Sequence, residues 1–97
     1  MATGDWVLVG NNGTYIIGEI CEIVRCFVPG MSHVRVRVVN ECHVVIEEHL
    51  FGGSIRIPKD HPRMTSTGVT IRVETASFVQ LSRADDKQGG WFFEYCL

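Results

Sequence analysis

Hydrophobic and polar residues alternate with a period of two along most of this chain. In HVRVRVVN, Val34, Val36 and Val38 fall on one face, and Arg35 and Arg37 fall on the other. The segments SIRIP and VTIRVET alternate in the same way. Alternation of this kind indicates β-strands that have one buried face and one solvent-exposed face.

Turn-forming residues separate these predicted strands. Asn12-Gly13 lies between the apolar runs VLVG and TYII, and Asn-Gly is the strongest short-range signal for a β-hairpin. Gly18 lies inside the second predicted strand, where a glycine often indicates a bulge or bend. The segments VPGM, FGGS, PKDHPRMTSTG and RADDKQGG are typical of turns and loops, and helical periodicity is weak. We therefore predict a single all-β, barrel-like domain that spans residues 1–97.

Composition and charge narrow the functional classes. The chain has 97 residues, of which 45% are hydrophobic, with a net charge of −2 and a pI of about 6.0. Proteins that bind nucleic acid through charge usually carry a basic excess, so this class is disfavoured. No apolar run approaches the roughly 18–20 residues of a membrane span, and the N-terminal segment lacks the features of a secretory signal. We expect an intracellular protein with no membrane partner.

The order of segments in the first half is similar to that of a known class of domain. Gly4-Asp5 and an apolar strand from Trp6 to Val9 lead into the hairpin, and Tyr15 and the segment GEICEI precede the valine-rich strand. This arrangement, over about residues 4–50, resembles the start of the SH3-like barrels in Tudor and bromo-adjacent-homology (BAH) modules. The resemblance implies a small SH3-like β-barrel with extra strands and loops and little helix. It also implies a non-catalytic nuclear module that binds a peptide or protein partner, such as a histone tail.

Aromatic residues near strand ends are the first candidates for a binding site. A reader of methylated lysine surrounds the cation with several rings, because ring faces carry negative potential, and an acidic neighbour strengthens the site. We predict Trp6 and Tyr15 as ligand-binding residues at one rim, with Asp5 and Glu19 as the acidic neighbours. The alternative is that the rings fill the core, because a small barrel also needs large side chains inside.

The terminal segment WFFEYCL is apolar on both faces of a predicted strand. Trp91, Phe93 and Tyr95 share one face, and Phe92 lies on the other. Such a strand is either central in the fold or covered by a partner. We favour burial within the domain. Homodimerisation through this edge is the alternative, which makes a structural or self-associating β protein the second hypothesis.

A group of arginines forms a possible basic face. They lie on the polar sides of predicted strands: Arg35, Arg37, Arg56 and Arg72. If their strands are neighbours, they form a stripe that binds phosphate, and a nucleic-acid-binding barrel is then a further alternative. The acidic total instead favours a solvated face whose arginines have cross-strand partners such as Glu47 and Glu74.

The remaining polar residues do not form a recognisable reaction centre. Cys21 and Cys26 have the outermost spacing of a zinc pair, which is not repeated, and without a secretory signal the four cysteines are expected to be reduced thiols. Cys42-His43 and Glu47-Glu48 are neighbours on predicted strands, so their side chains point to opposite faces. We predict no enzyme activity, no metal and no cofactor.

Overall fold

Eight strands and one short 3₁₀ turn make up the regular structure of the part of the chain that the structure describes. The structure, a computed structural model, describes residues 1–11, 13–39, 44–58, 68–84 and 89–97. The strands are β1 (Trp6–Asn11), β2 (Thr14–Val24), β3 (His33–Val38), β4 (Val45–His49), β5 (Gly52–Ile57), β6 (Val69–Arg72), β7 (Ser77–Ala84) and β8 (Trp91–Cys96), and the turn is Val73–Thr75. The predicted all-β fold with little helix is therefore confirmed. Asn12, half of the predicted hairpin turn, lies outside the described residues, and Gly13 has a φ of 80°.

The strands form one antiparallel sheet in the order β4-β5-β8-β7-β1-β2-β3-β6. Strand β7 pairs with β1 through its first half and with β8 through its second half. The chain passes from the edge strand β6 to the start of β7 through residues 73–76. Ile71 of β6 belongs to the same apolar cluster as Val7 and Val9 of β1, and Phe78 of β7 packs against that cluster, so the run β7-β1-β2-β3-β6 curls around it.

Two apolar clusters lie on opposite faces of β1. The smaller cluster consists of Val7, Val9, Ile20, Val34, Val36 and Ile71. The larger cluster consists of Leu8, Ile17, Val39, Ile55, Ile57, Leu81, Phe93 and Tyr95. Ile17 lies on β2 and Ile55 on β5, four places apart in the sheet order, so the sheet folds back over β1 and β2 to bring them together.

The predicted inward and outward faces are largely observed. Val34 and Val36 are fully buried, Val38 is half-buried, and Arg35 and Arg37 are exposed. The terminal strand β8 lies between β5 and β7, and its residues Phe93 and Tyr95 are buried, as predicted for a strand inside the domain.

Gly18 occupies a point of close strand approach. The register shift in β2 falls between Ile20 and Glu22 and not at Gly18, so the predicted bulge lies a few residues further along the strand. A Cβ atom at Gly18 would overlap the carbonyl oxygen of Arg37 and would lie 2.7 Å from a methyl group of Val36. Glycine is required here because β3 packs directly against the β2 backbone.

We expect Gly18→Ala to lower the free energy of unfolding by about 2–3 kcal/mol, because a backbone oxygen cannot move aside as a side chain can. Gly10→Ala is the matched control in the neighbouring strand. Its Cβ would come closest to the Ser77 hydroxyl, at 2.9 Å, which can rotate away, and would meet the Tyr15 ring at an ordinary contact distance of 3.9 Å. Urea denaturation of both variants measures the difference, and equal losses would contradict the close approach at Gly18.

Candidate functional site

One end of the larger cluster is closed by aromatic rings. Trp6 packs against Trp91 and Phe93, with ring centroids 5.2 Å and 4.9 Å away. The guanidinium carbon of Arg83 lies 3.8 Å from the centroid of the Trp91 ring. The protein's own cation therefore covers the indole face that a ligand cation would use. The half-buried Trp6 is part of this packing, which corresponds to the core-filling alternative.

Tyr15 lies at the opposite end of the same hairpin. Trp6 is paired with Glu19, and Gly10 is paired with Tyr15. Both aromatic rings are on one face of the sheet, but four strand residues, or about 13 Å, separate their positions. The structure therefore does not bring Trp6 and Tyr15 to a single rim.

The two acidic residues predicted at that rim lie at the Trp6 end. The Asp5 carboxylate accepts a hydrogen bond of 2.8 Å from the backbone N–H of Ala2. Glu19 is opposite Arg37 on β3. Neither of them lines the clefts beside Tyr15.

A cleft opens at the Tyr15 end of the larger cluster. It has a volume of about 280 Å³ and lies between the tip of the first hairpin, the start of β7 and the ends of β4, β5 and β8. We call it the Tyr15 cleft. Its lining consists of Leu8, Gly10, Tyr15, Glu48, His49, Gly52, Ser77, Val79, Tyr95 and Leu97.

Glu48, Gly53 and Tyr95 lie in one row across three strands. Glu48 is paired with Gly53, and Gly53 is paired with Tyr95. A Cβ atom at Gly53 would lie 2.5 Å from the Tyr95 hydroxyl oxygen, so the tyrosine ring lies across the glycine. The absence of a side chain at Gly53 thus lets Tyr95 extend towards Glu48.

The electrostatics of Tyr95 indicate that three groups converge at the cleft. Burial raises the pKa of Tyr95 above its usual value of 10.0, and the nearby Glu48 carboxylate and Tyr15 raise that pKa further. Tyr95 is 8% exposed, whereas Tyr15 is 57% exposed. The cleft therefore offers one fixed ring, one accessible ring and a carboxylate.

A second opening adjoins the Tyr15 cleft, and Tyr15 lines both of them. It has a volume of about 380 Å³ and lies between the β1–β2 turn and β4. We call it the adjoining slot. It is lined by Gly13, Thr14, Tyr15, Ile17, Val44 and Ile46.

The four arginines of the predicted basic face do not form one group. Arg35 and Arg37 lie on β3, and Arg72 lies on the neighbouring strand β6. Arg56 lies on β5, where its guanidinium carbon is 5.5 Å from the centroid of the Phe92 ring. The salt bridge from Arg35 goes to Glu22, at 2.9 Å, and not to the glutamates expected from the sequence.

The described residues contain no group of three or more His, Cys, Asp or Glu side chains that is arranged to hold a metal ion. Cys21, Cys26 and Cys96 are free thiols, and the Cys21 thiol donates a hydrogen bond to the Arg35 carbonyl. Cys42-His43 lies outside the described residues. No helix in the described part of the chain is long and apolar enough to cross a bilayer.

Comparison with protein-family models, with curated proteins and with solved structures finds no match in any of the three.

Sequence reasoning placed Tyr95 in the core and considered Glu48 only as half of an acid–base pair, so it missed their convergence. The signal that was available is Gly52-Gly53, since glycines inside a strand often allow another group to approach closely.

Trp6 and Tyr15 are expected to differ sharply in their effect on stability. Trp6→Ala removes a ring packed on two others and should lower the free energy of unfolding by about 3 kcal/mol. Tyr15→Ala removes a mostly exposed ring and should cost less than about 1 kcal/mol. Thermal melts followed by circular dichroism test this contrast, and an unfolded Tyr15→Ala variant would place that ring in the core.

The raised pKa of Tyr95 predicts a loss of stability in alkali. The folded state holds the phenolic proton more tightly than the unfolded chain does. This contribution is therefore fully present below pH 10 and declines as the pH rises through the folded-state pKa. Urea denaturation near neutral pH and at about pH 11 should show a smaller alkaline loss in Tyr95→Phe than in the parent protein. An identical loss in both would contradict the raised pKa.

Proposed function

We propose that this protein is a non-catalytic interaction module that binds a peptide or protein partner through the Tyr15 cleft. A cationic side chain of the partner, such as lysine or methylated lysine, would enter between Tyr15 and Tyr95 and face Glu48. The single observation that carries this proposal is the convergence of two phenol rings and one carboxylate in an open cleft.

The chemistry of the cleft suits an ammonium group. Aromatic faces attract a cation more strongly when it is partly removed from water, and a cleft provides that partial desolvation. The carboxylate of Glu48 adds a Coulombic attraction that a neutral or anionic side chain would lack. The net charge of −2 also favours a basic partner over an acidic one.

The strand order is consistent with the family that the sequence resembles. The run β7-β1-β2-β3-β6 curls around the smaller cluster, and a short connection joins β6 to β7, which is consistent with an SH3-like barrel. Strands β4 and β5 are inserted between β3 and β6, and β8 is added at the end. This arrangement supports a BAH-like or Tudor-like module, and we propose a histone tail in the nucleus as a partner of the required chemistry.

Nucleic-acid binding through the arginine face is a weaker candidate. Arg35 is paired with Glu22, and Arg37 lies opposite Glu19, so two of the cations face carboxylates across the sheet. Binding of phosphate there would have to compete with these carboxylates. Arg56 is on a strand that does not adjoin β3 or β6 and cannot extend the stripe.

An amide NMR titration of the labelled protein with a lysine peptide and its trimethyl-lysine form tests the proposal. We expect shifts at Tyr15, Glu48 and Tyr95. Tyr15→Ala and Glu48→Gln should each weaken binding by about three- to tenfold, because each removes one of the attractions to the cation. Phe27→Ala is the matched control, since this fully exposed ring lies beyond the far end of β2.

Two results would contradict the proposal. One is equal binding by the parent protein and by both cleft variants. The other is a set of shifts confined to Arg35 and Arg37 that appears with a short DNA duplex and weakens steeply with salt, which would support the nucleic-acid alternative.

A further inference from the structure

Strand β4 is an open edge of the sheet beside the proposed site. Its partner is β5, and no other strand in the described part of the chain pairs with it. All five of its residues are exposed. An unpaired edge presents backbone donors and acceptors that can bind another extended chain.

The direction of these backbone groups follows from the hairpin. His49 and Gly52 are paired across the two-residue turn at Leu50 and Phe51, and the closing pair of such a turn is hydrogen-bonded. Hydrogen-bonded pairs alternate along an antiparallel ladder. The backbone N–H and C=O groups of Ile46 and Glu48 therefore point outwards, away from β5.

The side chains of the same two residues face the proposed site. Ile46 is paired with the fully buried Ile55, and Glu48 is paired with Gly53, so both lie on the inner face of the sheet. Ile46 lines the adjoining slot, and Glu48 lines the Tyr15 cleft. A chain bound along β4 would therefore direct alternate side chains into these two openings.

We infer that the partner binds by adding an antiparallel strand to β4, with a cationic residue opposite Glu48 and an apolar residue two positions later opposite Ile46. This inference rests on the proposed function and specifies how the peptide backbone is held. The backbone pairing supplies affinity, and the lysine-x-apolar spacing supplies specificity.

Charge favours a basic peptide over a second copy of this chain. Strand β4 carries Glu47 and Glu48 and has no Lys or Arg. Antiparallel pairing of two β4 strands about their centre would place Glu47 directly opposite the same residue of the other copy. Like charges directly opposite each other are destabilising, whereas a lysine-bearing strand gains a cross-strand ion pair.

The test uses short synthetic peptides whose affinities are measured by isothermal titration calorimetry. The probe is acetyl-Thr-Lys-Thr-Val-Thr-amide, and acetyl-Thr-Lys-Val-Thr-Thr-amide is the control of equal composition and wrong spacing. A third peptide carries N-methyl groups on the Lys and Val amides, which face β4 in the inferred pairing. A fourth carries one N-methyl group on the central Thr, whose amide points away.

We expect the wrongly spaced peptide to bind at least about tenfold more weakly than the probe, because one side-chain contact is lost. The Lys,Val-methylated peptide should also bind at least about tenfold more weakly, because two backbone hydrogen bonds are lost. The Thr-methylated peptide should bind within about twofold of the probe, because its missing N–H makes no bond to β4.

Three results would overturn the inference. If all methylated peptides bind equally and Tyr15→Ala still weakens binding, the cleft proposal stands and strand addition is wrong. If the probe does not bind, both are wrong. If sedimentation shows a dimer that Glu48→Pro abolishes, a second copy occupies the β4 edge instead.

Discussion

Burial of β1 on both faces is the constraint on which the rest of the structure depends. Val7 and Val9 are fully buried in the smaller cluster, and Leu8 between them is buried in the larger one. Full burial of such side chains contributes roughly 1.5–3 kcal/mol each, so leaving either face in water would be costly in a chain of this size. A single sheet covers both faces only by folding over β1 in opposite directions at its two ends.

The position of the candidate site follows from this folding. The arm formed by β4, β5 and β8 lies over β1 and β2 and encloses the larger cluster, which then has two ends. At one end Trp6 packs against Trp91, and the Arg83 guanidinium covers one face of the Trp91 ring. At the other end the Tyr15 cleft is open, and its lining includes Tyr15 from the hairpin and Glu48 and Tyr95 from the arm. The same scaffold therefore carries a packed aromatic group at one end and the proposed binding site at the other.

The local alternation of hydrophobic and polar residues predicted the strands well. The contacts at the candidate site were harder to predict, because some of them depend on pairing between distant strands. The alternation at Val34 and Val36 depends only on the period of two, which holds wherever a strand has one buried face. The separation of Trp6 from Tyr15 depends on the hairpin register, and the approach of Tyr95 to Glu48 depends on pairing β8 with β5. The hairpin register is local and follows from the predicted Asn12-Gly13 turn, so the separation of the two rings could have been derived from the sequence. The pairing of β8 with β5 joins segments far apart in the chain and follows from how the sheet curls.

Amide hydrogen exchange of the free protein, followed by NMR, tests most directly whether β1 is the centre of the fold and β4 its open edge. We expect the amides of Val7, Leu8 and Val9 to exchange most slowly, because β1 is paired on both sides and buried on both faces. The amides of Ile46 and Glu48 should exchange rapidly, because they point to solvent. Protection of these two amides equal to that of β1 would contradict the open edge, and rapid exchange in β1 would contradict the central strand.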